Sequence, residues 1–183
     1  LIPAAKDVGG TEPGPCVYMV GNSLGLQPRS TRPALMQELD DWARLGVEAH
    51  FHAAHPWFPA HEEVRTNLAM LVGATPAEVV AMNTLTTNLH LLMVSFYRPT
   101  RERYKIVIED TAFPSDSYAV QSQVDFHARH LGIDPAHGVI RLKAREGESS
   151  LRTEDILATI DRHRHEIALV MLGGVNYLTG QWF

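Results

Sequence analysis

The chain has 183 residues, of which 45% are hydrophobic and 20% are charged, a composition typical of a globular protein with one buried core. Its net charge of −5, without a basic stripe, disfavours nucleic acid or an anionic membrane surface as a partner. No apolar run approaches the ~18 residues that a membrane helix needs. Because Cys16 is the single cysteine, no internal disulfide can form, which favours a reducing, cytoplasmic compartment.

The two ends of the sequence suggest a piece of a longer polypeptide. The chain starts at Leu1 without an initiator Met or a signal-peptide pattern, and it stops on Trp182 and Phe183 directly after a turn. Residues 1–60 are expected to form an amino-terminal arm and a first helix. Residues 61–183 are expected to form an incomplete α/β domain.

The amino-terminal part is predicted to contain mostly helices. Its predicted elements, in chain order, are a strand at 17–20, a helix at 30–45, a helix at 60–72 and a strand at 79–82. The first helix has an apolar face made of Leu35, Leu39, Trp42 and Leu45. Gly73 ends the second helix, and Thr75 and Glu78 fit a capping box with a Pro at the first helical position.

The carboxyl-terminal part alternates between strands and helices. Its predicted elements are a helix that follows residues 83–87, a strand at 105–108, a helix at 115–131, a strand at 139–142, a helix at 153–163 and a strand at 167–172. Ser115 is the expected N-cap of the helix that ends at Gly132. This alternation indicates an α/β fold in which right-handed βαβ units build a parallel sheet.

The run Ala112-Phe113-Pro114-Ser115-Asp116 is the first candidate site. It lies between the end of a strand and the start of a helix, where α/β proteins bind ligands. An aromatic ring, a hydroxyl and a carboxylate there suit a planar, charged, nitrogen-containing ring, and pyridoxal phosphate is the first candidate. The alternative is that Phe113 belongs to the core and that Ser115 and Asp116 only cap the helix.

The run Asn83-Thr84-Leu85-Thr86-Thr87 is a second candidate, at another strand-to-helix junction. Free backbone N–H groups at a helix start, together with hydroxyl groups, form a pocket for an anion such as phosphate. Plain N-capping by Thr84 or Thr86 is the alternative.

Two further groups of residues lie in the amino-terminal part. The loop Gly21-Asn22-Ser23-Leu24-Gly25 fits neither a Walker loop nor a dinucleotide fingerprint, so it is either a tight turn or a lining of a ligand pocket. A second group consists of His50, His52, His55 and His61. These histidines lack zinc-site spacing, so no metal is assigned, and one imidazole lining an active site is favoured over a zinc site.

In combination, these segments resemble kynureninase, a pyridoxal-phosphate enzyme of the aspartate-aminotransferase fold group. The resemblance runs from about residue 17 to the last residue. The stretches that carry it are Val20-Gly-Asn-Ser-Leu-Gly-Leu-Gln-Pro28, Asp41-Trp42-Ala43, His50, Pro56-Trp57, Met82-Asn83, Leu85-Thr86, Asn88-Leu-His-Leu-Leu92, Ala112-Phe-Pro-Ser-Asp116, Arg145-Glu-Gly-Glu148 and Thr179-Gly180-Gln181.

The resemblance implies roles for individual residues. The residues implied to bind the cofactor are Leu85, Thr86, Phe113, Pro114, Ser115 and Asp116. Leu85 and Thr86 would hold its phosphate, Phe113 would stack on its ring, and Asp116 would add negative charge near that ring. Ser23 and His50 would approach the aryl group of the substrate, within a homodimer.

The resemblance also implies a reaction. Kynureninases cleave L-kynurenine or 3-hydroxykynurenine with water, which gives anthranilate or 3-hydroxyanthranilate and L-alanine, in tryptophan breakdown and nicotinamide-cofactor supply. Pyridoxal phosphate serves as the electron sink for this cleavage. Neither a metal ion, a nucleic acid nor a membrane is implied.

The sequence departs from the family pattern at two points. Its lysines are Lys6, Lys105 and Lys143, whereas the family places its Schiff-base lysine far beyond residue 183. No catalytic residue is therefore assigned, and this chain alone is expected to be inactive and to self-associate through an exposed strand at 167–172. Gly173 stands where similar enzymes usually carry Ser or Thr, which implies weaker cofactor binding.

Two other interpretations remain open at this point. The chain could be a non-catalytic binding or interaction domain that kept the scaffold. It could also belong to an enzyme similar to cysteine desulfurases, although these typically have a His at the position of Phe113.

Overall fold

The computed structural model describes residues 1–183, which form two compact units, residues 1–82 and residues 83–183. The predicted boundary near residue 60 concerns the domains of the whole protein and stays a prediction. None of the helices combines the length and the apolar composition needed to cross a membrane.

The unit of residues 1–82 is helical. Its helices are α1 (Thr31–Leu45), α2 (Ala49–His52), α3 (Ala60–Glu63) and α4 (Arg65–Val72). The predicted helix at 30–45 is confirmed, whereas the one predicted at 60–72 is interrupted at Val64. Gly73 ends α4 in the left-handed region, with φ of +69°. The capping box of Thr75 and Glu78 forms as predicted, around a short 3-10 turn.

The two strands predicted in this unit are wrong. Residues 17–20 form no strand, and the side chains of Val17 and Met19 are exposed. Residues 79–82 likewise pair with no strand. A β-branched run becomes a strand only where a neighbouring strand supplies hydrogen bonds, and that neighbour is not encoded locally.

Helix α1 buries a carboxylate rather than its predicted apolar face. Leu35, Leu39 and Trp42 are exposed, while Asp41 is fully buried. Its carboxylate accepts hydrogen bonds from the Ala54 N–H at 2.9 Å, from Gln37 Nε2 at 3.1 Å and from the Arg44 guanidinium. The Ala54 N–H first, and then the Arg44 and Gln37 side chains, hold the pKa of Asp41 below its usual range. Asp41 thereby ties α1 to the chain that follows α2.

The unit of residues 83–183 is an α/β structure with a parallel sheet, as predicted. Its strands are β1 (Lys105–Glu109), β2 (Val139–Leu142) and β3 (Ile167–Val170), in the order β2-β1-β3. The last strand ends two residues before its predicted end, although the Met171 N–H still donates to Val107 O at 2.9 Å. Strand β3 lies at an edge of this sheet.

Helices cover both faces of the sheet. They are α5 (Leu85–Phe96), α6 (Pro114–Leu131) and α7 (Thr153–Arg162). One core contains Ile106 and Ile108 of β1 with Met93 and Tyr97 from the α5 side and Val120 and Val124 of α6. The other core contains Val107, Leu142 and Ile167, with Ile156 and Ile160 of α7 packed against them. Alternate residues of the central strand thus face opposite helical layers.

The start of α6 differs from the prediction by one position. Phe113 is the N-cap residue, Pro114 is the first helical residue, and no side chain caps the helix, so Ser115 is not the N-cap. Proline suits the first helical position because its missing N–H would have no helical acceptor there. The predicted end is confirmed, since Gly132 terminates α6 with φ of +66°.

Gly138 offers a test of the packing between α6 and the start of β2. It is buried, and a Cβ built on it would lie 2.2 Å from Val124 Cγ1. Its φ of −81° is open to any residue, so the glycine serves packing alone. We expect Gly138→Ala to lower the free energy of unfolding by about 1–3 kcal/mol in denaturant titrations.

Gly174→Ala is the matched control, because a Cβ at that position meets no atom within 4 Å. It should change the stability by less than about 0.5 kcal/mol. Equal stability of the two variants would contradict the close approach of Gly138 to α6.

Candidate functional site

The candidate site lies at the carboxyl edge of the parallel sheet in the unit of residues 83–183. The chain leaves β1 at Glu109 and enters α6 at Pro114, so residues 110–113 form the loop at this edge. Such edges are where α/β proteins bind ligands. Lys105 lies at the amino end of β1, opposite to the candidate site, and its Nζ lies 2.7 Å from Glu166 Oε1.

Helices α5 and α6 run side by side in the same direction. Gln123 Nε2 of α6 lies 2.9 Å from His90 Nδ1 of α5, and the His127 ring lies 5.3 Å from the ring of Tyr97. The second contact lies further along the chain than the first in both helices, so the helices are parallel. Both helices therefore start at the same end of the unit. At a rise of about 1.5 Å per residue, Thr86 lies ~6 Å before His90 and Phe113 ~15 Å before Gln123.

The start of α5 leaves backbone donors free. The first intrahelical bond runs from the Asn88 N–H to Thr84 O at 2.9 Å, so the N–H groups of residues 85–87 have no helical acceptor. No side chain caps them, because the Thr84 hydroxyl lies 3.0 Å from the Thr87 hydroxyl instead. Free donors at the positive end of a helix dipole suit an anion. The Thr86 side chain is half-buried beside them.

Phe113 is not a core residue, contrary to one of the two interpretations of its sequence. Its side chain is 51% exposed, and its ring contacts the ring of Tyr177 at a centroid distance of 5.0 Å and an angle of 78°. A perpendicular neighbour leaves at least one face of the Phe113 ring open. An aromatic face is therefore available at the loop that joins β1 to α6.

Asp116 lies in the first turn of α6, half-buried. Burial raises the pKa of its carboxyl, the negative charge of Glu109 adds to this, and a hydrogen bond from Ser115 opposes it. The Ser115 hydroxyl donates to Asp116 Oδ1 at 3.4 Å. A carboxylate in this position is stabilised by any positive charge brought close to it.

Two buried polar residues at this edge were missed in the sequence. Glu109 ends β1 and accepts a hydrogen bond from the Gly173 N–H at 3.3 Å. Asn176 donates from Nδ2 to the Thr111 hydroxyl at 2.9 Å. A carboxylate that ends an apolar strand was the available signal for Glu109, whereas nothing local distinguishes Asn176 from a turn residue. A Cβ at Gly173 would lie 3.3 Å from Glu109 Oε1.

A cavity of about 590 Å³ opens beside the carboxyl ends of β1 and β2. The polar residues that line it include Asp110, Thr111, Lys143, Glu148, Asn176 and Thr179. Lys143 therefore lies at the same edge of the sheet as the candidate site, unlike Lys105. Arg152 Nε donates to Glu148 Oε2 at 2.9 Å, and this bond holds the pKa of Glu148 low.

Ser23 and His50 belong to the unit of residues 1–82. Ser23 lies in an exposed turn, where its N–H donates to Val20 O at 2.9 Å. His50 is exposed on α2, and its ring is perpendicular to that of Trp57 at 5.5 Å. The Trp57 indole N–H donates to Glu38 Oε2 at 2.6 Å, so α1 fixes the ring beside His50.

The other histidines of this unit pair singly with carboxylates. The pairs are His52 with Glu48 at 3.8 Å, His55 with Glu63 at 3.5 Å, and His61 with Glu62 at 3.8 Å. No group of three or more His, Cys, Asp or Glu side chains is arranged to hold a metal ion.

Curated proteins similar to this chain are kynureninases. The kynureninase of Myxococcus xanthus is 63% identical over 174 residues, which cover 95% of this chain and 40% of that protein. Those of Koribacter versatilis and Dictyostelium discoideum are 59% and 45% identical, over 91% and 92% of this chain and 38% and 37% of their own lengths. The chain thus spans about two fifths of these relatives.

No protein-family model matches the sequence. The alignments with individual relatives nevertheless extend over nine tenths of the chain or more, so the aligned stretch includes both helix starts of the candidate site. Over this part of their length, the chain is therefore similar to kynureninases.

Proposed function

We propose that the full-length protein containing this chain is a kynureninase. It would use pyridoxal phosphate to hydrolyse L-kynurenine or 3-hydroxykynurenine to anthranilate or 3-hydroxyanthranilate and L-alanine. The observation that carries this proposal is the 63% identity to a kynureninase over 95% of the chain. The relatives named above are all kynureninases, which favours this proposal over a desulfurase-like enzyme or a non-catalytic domain.

The donor set at the sheet edge fits this cofactor. A phosphate dianion needs several N–H or O–H donors, and the start of α5 offers the free N–H groups of Leu85 and Thr86 beside the Thr86 hydroxyl. An aromatic heterocycle needs a flat surface, and Phe113 has an open face. When bound, pyridoxal phosphate supplies an electron sink for cleavage next to a carbonyl group.

In this proposal the chain binds and orients the cofactor, and it does not supply the lysine to which the cofactor is covalently attached. Leu85 and Thr86 hold the phosphate, and Pro114 fixes the turn that presents the Phe113 ring. Ser115 and Asp116 hydrogen-bond around the cofactor. The raised pKa of Asp116 fits a carboxylate that faces a positively charged ring, since that charge would keep it ionised.

The remaining roles extend the proposal to the whole protein. Ser23 and His50 bind the aryl group of the substrate, and the active protein is a cytoplasmic homodimer. Residues 61–183 form the amino-terminal part of a large domain of the aspartate-aminotransferase type. The Schiff-base lysine comes from the part of the full-length protein that lies outside this chain. The chain alone therefore has no activity.

The assignment of the cofactor contacts predicts two losses of affinity in the full-length protein. Phe113→Ala removes a stacking surface and should weaken binding of pyridoxal phosphate about threefold to tenfold. Thr86→Ala removes a hydrogen bond to a charged group and should weaken it by at least about tenfold. Equilibrium dialysis measures both affinities.

Phe126→Ala is the control for these variants, because Phe126 is a similarly exposed aromatic residue of α6 that lies more than three turns away from Phe113. Its affinity should equal that of the unchanged protein. If the Phe113 and Thr86 variants also retain full affinity, the cofactor does not bind at these two helix starts.

Replacing Asp116 is expected to change the stability of the fold and the affinity for the cofactor in opposite directions. A carboxyl whose pKa is raised by folding destabilises the native state as the pH rises above the usual value of 3.8. Asp116→Asn should therefore raise the denaturation midpoint of the cofactor-free protein at pH 7, by an amount that shrinks toward pH 4, and should weaken cofactor binding. A variant less stable than the unchanged protein at pH 7 would contradict this account.

Gly173 predicts a gain of affinity. A Ser side chain there would begin 3.3 Å from Glu109 Oε1 and would add a hydroxyl at the sheet edge. Gly173→Ser should tighten the binding of pyridoxal phosphate about threefold to tenfold, which corresponds to one hydrogen bond. Gly173→Ala adds the same Cβ without the hydroxyl and should give no gain, and equal affinities of the two variants would refute the role of the hydroxyl.

A further inference from the structure

Tyr177 contacts Phe113 across a large separation in the chain. The two rings lie 5.0 Å apart between centroids at 78°, and both side chains are about half-exposed. Edge-to-face aromatic pairs have a preferred geometry and a measurable interaction energy. The contact therefore restrains rotation of the Phe113 ring, whose torsion has only a broad preference of its own.

Asn176 immobilises the backbone that carries Tyr177. Its side chain is 4% exposed, and its Oδ1 accepts hydrogen bonds from the Leu178 N–H and the Thr179 N–H, each at 3.0 Å. Its own N–H donates to Gln181 O at 2.8 Å, and its carbonyl accepts from the Gly180 N–H at 2.9 Å. The turn that begins at Asn176 is thus closed on itself.

The same asparagine connects this turn to the Phe113 loop. Asn176 Nδ2 donates to the hydroxyl of Thr111, which lies two residues before Phe113. Two contacts therefore connect residues 111–113 with residues 176–177. One is the hydrogen bond between Asn176 and Thr111, and the other is the contact between the rings of Tyr177 and Phe113. The loop after β1 and the loop after β3 form one unit around the aromatic ring.

We propose that Tyr177, held in place by Asn176, is a positioning residue that orients the Phe113 ring for stacking on pyridoxal phosphate. Tyr177 acts through Phe113 and needs no contact of its own with the cofactor. This inference rests on the proposed function, in which Phe113 is the stacking surface.

A double-mutant cycle on the full-length protein tests the inference. The variants are Tyr177→Leu, Phe113→Leu and the double variant, and the readouts are the affinity for pyridoxal phosphate and the circular dichroism of the bound cofactor. Tyr177→Leu should weaken binding about twofold to tenfold and change the dichroism per bound cofactor. In the Phe113→Leu background it should weaken binding no further.

Two controls accompany the cycle. Tyr177→Phe keeps the ring without the hydroxyl and should retain the affinity of the unchanged protein. Leu178→Ala changes an exposed side chain in the same turn and should leave both readouts unaltered. If Tyr177→Leu fails to fold, Thr111→Val replaces it in the cycle, because it removes the acceptor of the Asn176 amide.

The outcomes separate this inference from the proposed function. Equal weakening by Tyr177→Leu in both backgrounds overturns the positioning role, and so does full affinity of Tyr177→Leu when Phe113→Leu binds weakly. Weak binding by Tyr177→Phe also overturns it. If Phe113→Leu itself binds normally, the stacking surface is elsewhere and both proposals fail at this residue.

Discussion

The packing of two parallel helices on one central strand is the constraint on which the site depends. Ile106 and Ile108 of β1 pack against Met93 on the α5 side and against Val120 and Val124 on α6. Burying each of these aliphatic side chains stabilises the fold by about 1.5–3 kcal/mol. Because this core holds α5 and α6 in the same direction, the free backbone donors of α5 and the Phe113 loop lie at one end of the unit.

Polar residues at the strand ends link this core to the loops of the candidate site. Glu109 and Asn176 are buried, and a buried polar group destabilises the fold unless it is hydrogen-bonded. Glu109 accepts a hydrogen bond from the Gly173 N–H. Asn176 donates one to the Thr111 hydroxyl and accepts another from the Thr179 N–H within its own turn. These bonds connect the loops that follow β1 and β3. By contrast, burial raises the pKa of Asp116, as is common for carboxyl groups in binding sites.

Local sequence signals predicted the regular elements well and the contacts between distant residues poorly. The strand at 105–108 and the end of α6 at Gly132 followed from a β-branched run and from a glycine after an apolar periodicity. The strands at 17–20 and 79–82 were wrong, since pairing depends on a partner elsewhere in the chain. Of the site, both helix starts were predicted to within one or two residues. The Asn176–Thr111 bond, however, joins residues 65 positions apart and has no local signal.

A crystal structure of the full-length protein with bound pyridoxal phosphate tests the central claim most directly. The account predicts phosphate oxygens within hydrogen-bond distance of the Leu85 and Thr86 N–H groups, with the pyridine ring stacked on Phe113. A cofactor bound away from the starts of α5 and α6, or in contact with only one of them, would contradict it.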